Sequence, residues 1–385
     1  MSGMKQAATA PGSNVLASVL DRLRGFRNRL VANPDVQRIA IANPLTRRLA
    51  RRKAGELFDL CAGFVYSQIL SACLRLSLFD LLKDRALPLD QLAREVDLTL
   101  DATRRLVDAG VALRLLEHRS GGSVGLGELG AALNANPGVK AMVEHHADLY
   151  EDLRDPVALL RGESDRPKLN AYWAYATANR PAELSRDCVA DYSDLMSASQ
   201  QFVAREVLAA YPIARHRKLL DVGGGDGTFV IAAASSAPHL EVIVFDLPAV
   251  AQRASERLCA EGLTARAESV GGDFVRDRLP SGADVISLVR VLYDHGDDKV
   301  LDLLKAARAV LSPGGRLLIA EPMADAPGAK RVGDAYFGFY LLAMGAGRAR
   351  RPDELKALLK LAGFSRSWVV PTRMPLQTGL VVAQV

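Results

Sequence analysis

The chain is poor in cysteine, poor in aromatic residues and without a strong charge of either sign. Its four cysteines, Cys61, Cys73, Cys188 and Cys259, stand without CxxC or CxxxC spacing. That speaks against a zinc site or a disulfide framework and fits a reducing cytoplasm. No uninterrupted apolar run approaches the ~18 residues of a bilayer span, so no spanning helix is expected. The N-terminus lacks the apolar core of a signal peptide.

What is present bounds the answer further. A length of 385 residues is too great for one ordinary domain and comfortable for two. Apolar residues make up 49%, enough for packed cores. The net charge of +5 is uneven: residues 1–53 hold eleven Lys and Arg against two acids, a net of +9, which leaves the rest at −4. A basic arm therefore precedes a mildly acidic body.

Residues 1–13 are small and polar and read as disordered. Asn33-Pro34 and Asn43-Pro44 read as breaks between short helices in the basic arm, residues 1–53. Residues 54–215 read as a helical domain. Its segment "LPLDQLAREVDLTLDATRRLVDAGVALRLLEHRSGGSVGLGELG" gives helix, turn, helix and a small β-wing with Gly121-Gly122 at the tip. The second helix, Leu100–Ala112, sets only Arg104 and Arg105 against Asp101 and Asp108, so dimerisation is favoured over nucleic-acid binding. From 216 to 385 strand-like runs at 218–222, 241–245, 267–270, 284–289, 315–320 and 378–384 alternate with helical ones. That alternation predicts an α/β fold with a doubly wound, Rossmann-like parallel sheet.

"LLDVGGGDGTF" is a buried strand, three alternating glycines (Gly223, Gly225, Gly227) and a helix start. Such glycines let the chain turn sharply and let a ligand approach the peptide groups. A dinucleotide fingerprint would want glycine at 228, which is Thr228. The pattern is instead Asp-x-Gly-x-Gly-x-Gly, the form used by S-adenosylmethionine enzymes, with Asp221 facing the ammonium. The second strand ends in Asp246-Leu247, where a carboxylate can accept from both ribose hydroxyls. The third ends in Asp273-Phe274, an acceptor for the adenine amino group and a ring to lie on adenine. Each acid alone would more often cap a helix; three at successive strand ends make that reading weak.

On these marks, with "FDLPAV", "GGDF", "GGRLLIAEP" and "LLKLAGF", the run from about Phe58 to Gly363 resembles the O-methyltransferase family of plant caffeate and bacterial polyketide enzymes. Within it, "AGFVYSQIL", "HHADLYEDLRDPVALLRGE", "RVLYDH" and "GDAYFGFYLLAMGAGRARR" are similar to the bacterial O-methyltransferases of hydroxyneurosporene or demethylspheroidene in carotenoid synthesis. The resemblance implies an obligate homodimer through the N-terminal helical domain, and the tertiary hydroxyl of an acyclic carotenoid as acceptor.

The family usually reads Arg-Val-Leu-His-Asp-Trp at the fourth strand end, with the histidine as general base. Here that histidine falls on Tyr293, followed by Asp294 and His295. The first supporting glutamate of the family falls on Glu321, and Ala349 replaces the second. A tertiary alcohol is far less acidic than imidazolium, so a base need only collect its proton late, and alignment carries much of the rate. His295 is expected as that base, Tyr293 and Glu321 as orienting groups; the bland alternatives are a surface histidine and a capping acid. His145, His146 and Tyr150 are expected on a helix that roofs the acceptor, with one of the two histidines a second candidate to meet its hydroxyl. The adjacent histidines point to different helix faces, which argues against a metal pair. Met196 matches a family position that packs on the acceptor. The expected protein is a cytoplasmic, peripherally membrane-bound S-adenosylmethionine-dependent O-methyltransferase whose basic arm meets anionic lipid. A phenol or tetrapyrrole methyltransferase, and a non-catalytic cofactor-binding regulator, remain the rivals.

Overall fold

The computed structural model describes residues 11–164, 167–172, 199–376 and 378–385. Three helices open the chain: α1 (Pro11–Ala32), α2 (Pro34–Ala42) and α3 (Pro44–Arg75). The two Asn-Pro steps are the breaks between them. Each proline takes the first helical position, where its missing N–H is not needed. Asn33 Oδ1 accepts from Asp35 N at 2.8 Å, and Asn43 Oδ1 from Leu45 N at 2.9 Å.

Two expectations are amended here. Residue 53 is no boundary: α3 continues through it for 32 residues, because Gly55 alone does not stop a helix. The basic arm thus ends inside the first long helix of the next domain. α3 is also long and apolar enough, by length and composition alone, to cross a membrane. Its scattered polar residues interrupt the apolar run but are too few to make the stretch polar. Leu57, Phe58, Leu60 and Phe64 are exposed along it, while Cys73 and Leu74 at its end are buried.

The winged-helix pattern is present as expected. Helices Leu89–Glu95 and Leu100–Ala112 lie between the first and second strands of a three-stranded sheet of β1 (Leu87–Pro88), β2 (Leu116–His118) and β3 (Ser123–Leu126), ordered β1-β3-β2. Gly121 and Gly122 turn the wing with φ of 70° and 72°. Phe79, Leu92, Val107, Leu116 and Val124 form the domain core. Arg105 faces Asp101 one helical turn away, so the second helix offers no net basic stripe.

The C-terminal sheet has seven strands: β4 (Lys218–Val222), β5 (Glu241–Asp246), β6 (Ala267–Gly271), β7 (Val285–Val289), β8 (Arg316–Glu321), β9 (Arg366–Val370) and β10 (Gly379–Gln384). Their order is β6-β5-β4-β7-β8-β10-β9. Successive side chains alternate between two cores, so Leu220, Ile243, Ile286 and Ile319 face one way, and Leu219, Val242, Val285 and Leu318 the other. Helices Asp297–Val310 and Pro352–Leu361 cover the first face; residues 199–210, Thr228–Ser236 and Pro248–Ala260 cover the second. The sheet is not wholly parallel. β10 runs antiparallel to both β8 and β9, pairing Leu380 with Ala320 and with Val370. A short link from β9 to β10 leaves no room for the crossover that parallel pairing needs.

Candidate active site

The site lies at the C-terminal ends of the parallel strands, the usual ligand crevice of such a sheet. β4 delivers Asp221 and then the glycine turn. Gly223, Gly225 and Gly227 have φ of 68°, 59° and 84°, the left-handed region that favours glycine. A Cβ on Gly223 would lie 2.7 Å from Val291 Cγ2, and one on Gly224 2.8 Å from Asp221 Oδ2. A Cβ on Gly225 would meet nothing within 4 Å, so the middle of the turn faces open space. The expected role of these glycines as a cradle fits this geometry.

Asp221 is fully buried. Ser287 Oγ donates to its Oδ1 at 2.5 Å, while Oδ2 has no hydrogen-bond partner among the described residues. A buried carboxylate oxygen left open in this way asks for a donor or a cation. Burial pushes the Asp221 pKa up to about 7. Asp246 accepts from Gly225 N at 2.8 Å and from Leu247 N at 2.7 Å, which fixes the carboxylate at the crevice edge. Burial raises its pKa to about 6 against those two hydrogen bonds. Asp273 is buried, and its Oδ1 accepts from Val275 N at 2.9 Å. It caps its own turn, and its Oδ2 lies 3.9 Å from Arg276 Nε. The carboxylates at three strand ends, the open glycine turn and the Phe274 ring fit S-adenosylmethionine, with its ammonium, sulfonium, ribose and adenine.

The fourth strand end is a tight turn, Leu292–Asp294, following Arg290 at φ 60°. Tyr293 is 1% exposed, and its N–H donates to Glu321 Oε2 at 3.1 Å. Glu321 is fully buried; desolvation raises its pKa to about 7, against the nearby Arg350. Burial also pushes the Tyr293 phenol well above its ordinary range. Asp294 is buried in the same turn. His295 leaves in a different direction. Its ring stands edge-on to Phe274 with centroids 5.3 Å apart, and burial lowers its pKa to about 4.

Arg350 holds this turn from beneath. It is wholly buried and donates to Leu292 O at 2.8 Å, His295 O at 2.6 Å and Asp297 Oδ1 at 2.9 Å. A Cβ on Gly347 would lie 2.1 Å from Tyr293 O, so only glycine lets the loop pack this closely.

Tyr293 packs into an aromatic cluster. Its ring meets Phe337 edge-on at 5.9 Å, and Phe337 meets Tyr340 at 6.1 Å. Tyr336 and Tyr340 stack at 5.7 Å. From the helix Pro137–Asp152, His145 Nε2 bonds Tyr340 Oη at 3.0 Å, and His146 Nε2 bonds Tyr336 Oη at 2.7 Å. Tyr150 lies against His146 at 6.1 Å. Burial lowers the pKa of both histidines, that of His146 to about 4. The two histidines therefore face one partner helix rather than opposite sides. Met196 lies outside the described residues.

The expected cofactor residues Asp221, Asp246 and Asp273 stand together at the strand ends, whereas Ser287, Tyr336, Tyr340 and Arg350 were not among the expected residues. Ser287 was visible as the lone polar residue inside a buried strand. Tyr336 and Tyr340 stand four apart, on one helix face, which is also ordinary core spacing.

Comparison with known proteins agrees with this geometry. Residues 150–365 match the O-methyltransferase domain, and residues 58–135 the O-methyltransferase dimerisation domain. The chain is 41% identical to the demethylspheroidene O-methyltransferase of Cereibacter sphaeroides over 92% of this chain and 93% of that one. It is 38% identical to the protein of the same name from Rhodobacter capsulatus, over 99% and 95%. The structure of human N-acetylserotonin methyltransferase in complex with SAM superposes with a TM-score of 0.69 at 24% identity, covering 86% and 97%. At that identity the superposition speaks for the fold. With a glycine cradle, strand-end carboxylates and both domains matched in order, the chain belongs to the O-methyltransferase family.

Proposed function

We propose that this protein is a homodimeric S-adenosylmethionine-dependent enzyme that methylates the tertiary hydroxyl of an acyclic carotenoid, met at a membrane surface. The observation that carries the reading is Tyr293. The base position of a phenol methyltransferase is filled by a buried, non-basic phenol inside an aromatic chamber. That arrangement suits an apolar acceptor whose hydroxyl is not deprotonated before attack. The names of the relatives from Cereibacter sphaeroides and Rhodobacter capsulatus point to the same acceptor class.

When bound, the cofactor supplies a methyl group already activated on a sulfonium. Asp221 Oδ2 would face its ammonium, Asp246 would accept from the ribose, and Asp273 would accept from the adenine amino group. Phe274 and His295 wall the adenine ring, which moves His295 from the role of base to that of a cofactor contact. Tyr293, Phe337 and Tyr340 exclude water and align the acceptor, so that orientation supplies much of the rate. Glu321 fixes the strand-end turn by accepting from the Tyr293 N–H, and Asp294 is buried within it.

The dimerisation domain accounts for the exposed flank of α3 over Leu57–Phe64 as the surface a second copy covers. Ahead of it, α1 and α2 expose Leu23, Phe26, Val31, Ile39 and Ile41 beside Arg22, Arg24, Arg29 and Arg38. Apolar side chains set among arginines suit an anionic leaflet, at ~1 kcal/mol for each basic residue held near it.

The test is a transfer assay with methyl-labelled cofactor and an acyclic carotenoid tertiary alcohol in anionic vesicles, beside a phenol and a tetrapyrrole. The methyl ether of the carotenoid is expected. Transfer confined to the phenol or the tetrapyrrole would refute the acceptor. Cofactor binding without transfer to any of them would favour the regulator. Removing residues 1–42, at the natural break before Pro44, should cut co-sedimentation with the vesicles and leave cofactor affinity unchanged. Undiminished sedimentation would remove the arm as the membrane contact.

A further inference from the structure

Methyl transfer to a neutral hydroxyl leaves a proton on the new ether oxygen, and that proton needs a carrier. The groups near the usual base position serve poorly. Tyr293 has no basic nitrogen, and His295 stands against Phe274 on the adenine side. Across the chamber, helix Phe337–Met344 carries Tyr340, 2% exposed and hydrogen-bonded to His145 at 3.0 Å. Phe337 packs between Tyr340 and Tyr293, with centroid separations of 6.1 and 5.9 Å. The Tyr340 phenol lies within electrostatic reach of Tyr293, Asp294 and Arg290. It therefore joins the strand-end turn to the roof helix.

We propose that Tyr340 is a catalytic residue that meets the acceptor oxygen, and that His145 is the proton acceptor behind it. This rests on the reading of the site as one for O-methylation. In the resting site Tyr340 O–H donates to His145 Nε2, with the histidine proton on Nδ1. As the acceptor oxygen forms its bond to the methyl carbon, the carbon–sulfur bond breaks and its electron pair stays on sulfur. The acceptor O–H proton passes to Tyr340 Oη, and the Tyr340 proton passes to His145 Nε2. The positive charge that began on sulfur ends on the imidazolium, so the charge of the site is conserved. The imidazolium then releases its proton to solvent before the next turnover.

Each part has its support. A protonated ether is a far stronger acid than imidazolium, so a weak base suffices. Burial keeps His145 neutral and able to receive, while Asp148, a nearby negative charge, favours the imidazolium once it forms. The neighbouring pair, His146 and Tyr336, has similar chemistry but another position. Tyr336 shares with Tyr340 the reach of Arg290, but its Oη lies 3.5 Å from Met142 Sδ and near Tyr150, on the roof side, and only Tyr340 also feels Tyr293 and Asp294.

The experiment is single-turnover kinetics with saturating labelled cofactor in H2O and D2O. It is read on whichever acceptor the wild type methylates, carotenoid alcohol or phenol. Tyr340→Phe and His145→Asn should each lower the transfer rate by about 10²-fold, the lower end of general acid–base contributions. The wild-type solvent isotope effect should disappear in both, with cofactor affinity unchanged. Tyr211→Phe is the control: its hydroxyl bonds His216 at 2.8 Å beside the start of β4, away from the crevice, and its rate should stay within twofold. If Tyr340→Phe keeps more than a third of the rate with an intact isotope effect, the relay is wrong. If Tyr340→Phe does not fold, His145→Asn is judged by the same limits. Turnover of the phenol alone would sink the carotenoid reading and still decide the relay.

Discussion

Arg350 offers the sharpest test of how the strand-end turn is held. Replacing it with Met keeps most of the stem volume and removes the guanidinium. Three acceptors lose a charged donor: Leu292 O, His295 O and Asp297 Oδ1. Asp297 is 49% exposed in its side chain and can rehydrate, so its loss is small. The carbonyls of Leu292 and His295 belong to the packed turn. His295 O is left without its donor at a cost of ~1–3 kcal/mol, while Leu292 O keeps the His295 amide and loses only ~0.5–1.5 kcal/mol, so the two give about 1.5–4.5 kcal/mol. Arg350→Lys should recover only part, because one ammonium cannot reproduce the fork that spans three acceptors. Urea unfolding followed through the catalytic domain should show the midpoint falling with an unchanged slope. Hydrogen exchange should add a local signature, with faster exchange at the His295 amide, which donates to Leu292 O at 3.1 Å. If Arg350→Met unfolds within about 0.5 kcal/mol of wild type, the arginine is dispensable. The turn would then be held by Glu321 and the close approach of Gly347.

Two further outcomes follow from the crevice. Burial lifts Asp221 from its ordinary 3.8 to about 7, so the cofactor-free fold holds a proton that the unfolded chain has released. The stability this contributes is full below about pH 4 and is lost as pH rises through about 7. Relative to wild type, Asp221→Asn should therefore be more stable at pH 8 than at pH 5.5 by calorimetry; a constant difference would refute the assignment. His295→Ala should weaken cofactor binding by about 3–10-fold, for ~0.5–1.5 kcal/mol of aromatic contact, and keep the single-turnover rate within about threefold. A hundredfold rate loss at unchanged affinity would restore His295 as the base.

The glycine turn and the strands that carry it were legible because backbone geometry writes itself into sequence. Only glycine takes φ near 60–85° without strain, so positions 223, 225 and 227 announce the turn. Buried parallel strands are continuous apolar runs, and five of them were found within a residue or two of their ends. Direction is not written this way. "GLVVAQ" has the same period whether β10 runs up or down, so its antiparallel course was missed. β9 was missed altogether: its "RSWVV" is a half-exposed edge strand that buries none of its residues fully. Arg350 was hidden in "GRARR", a basic run that reads as solvated surface until the fold buries one member of it.

The acceptor half was illegible for a different reason. Its defining contacts join residues far apart in sequence, His145 to Tyr340 across 195 positions and His146 to Tyr336 across 190. No local spacing encodes such a pair. When the histidine expected at position 293 proved to be tyrosine, the nearest one in sequence, His295, was the natural substitute. A tight turn sends residues two apart in different directions, and it does so here. Tyr293 enters the chamber with Phe337, while His295 packs on Phe274. On the relay proposed above, a lost base is replaced by what the fold brings to the same space, not by its neighbour in the chain. For an acceptor that gives up its proton only after attack, the replacement need not be strong. It needs to stand in the dry chamber, be neutral at rest and have an exit for the charge. His145 behind Tyr340 meets the first two conditions through burial, and Asp148 beside it eases the third.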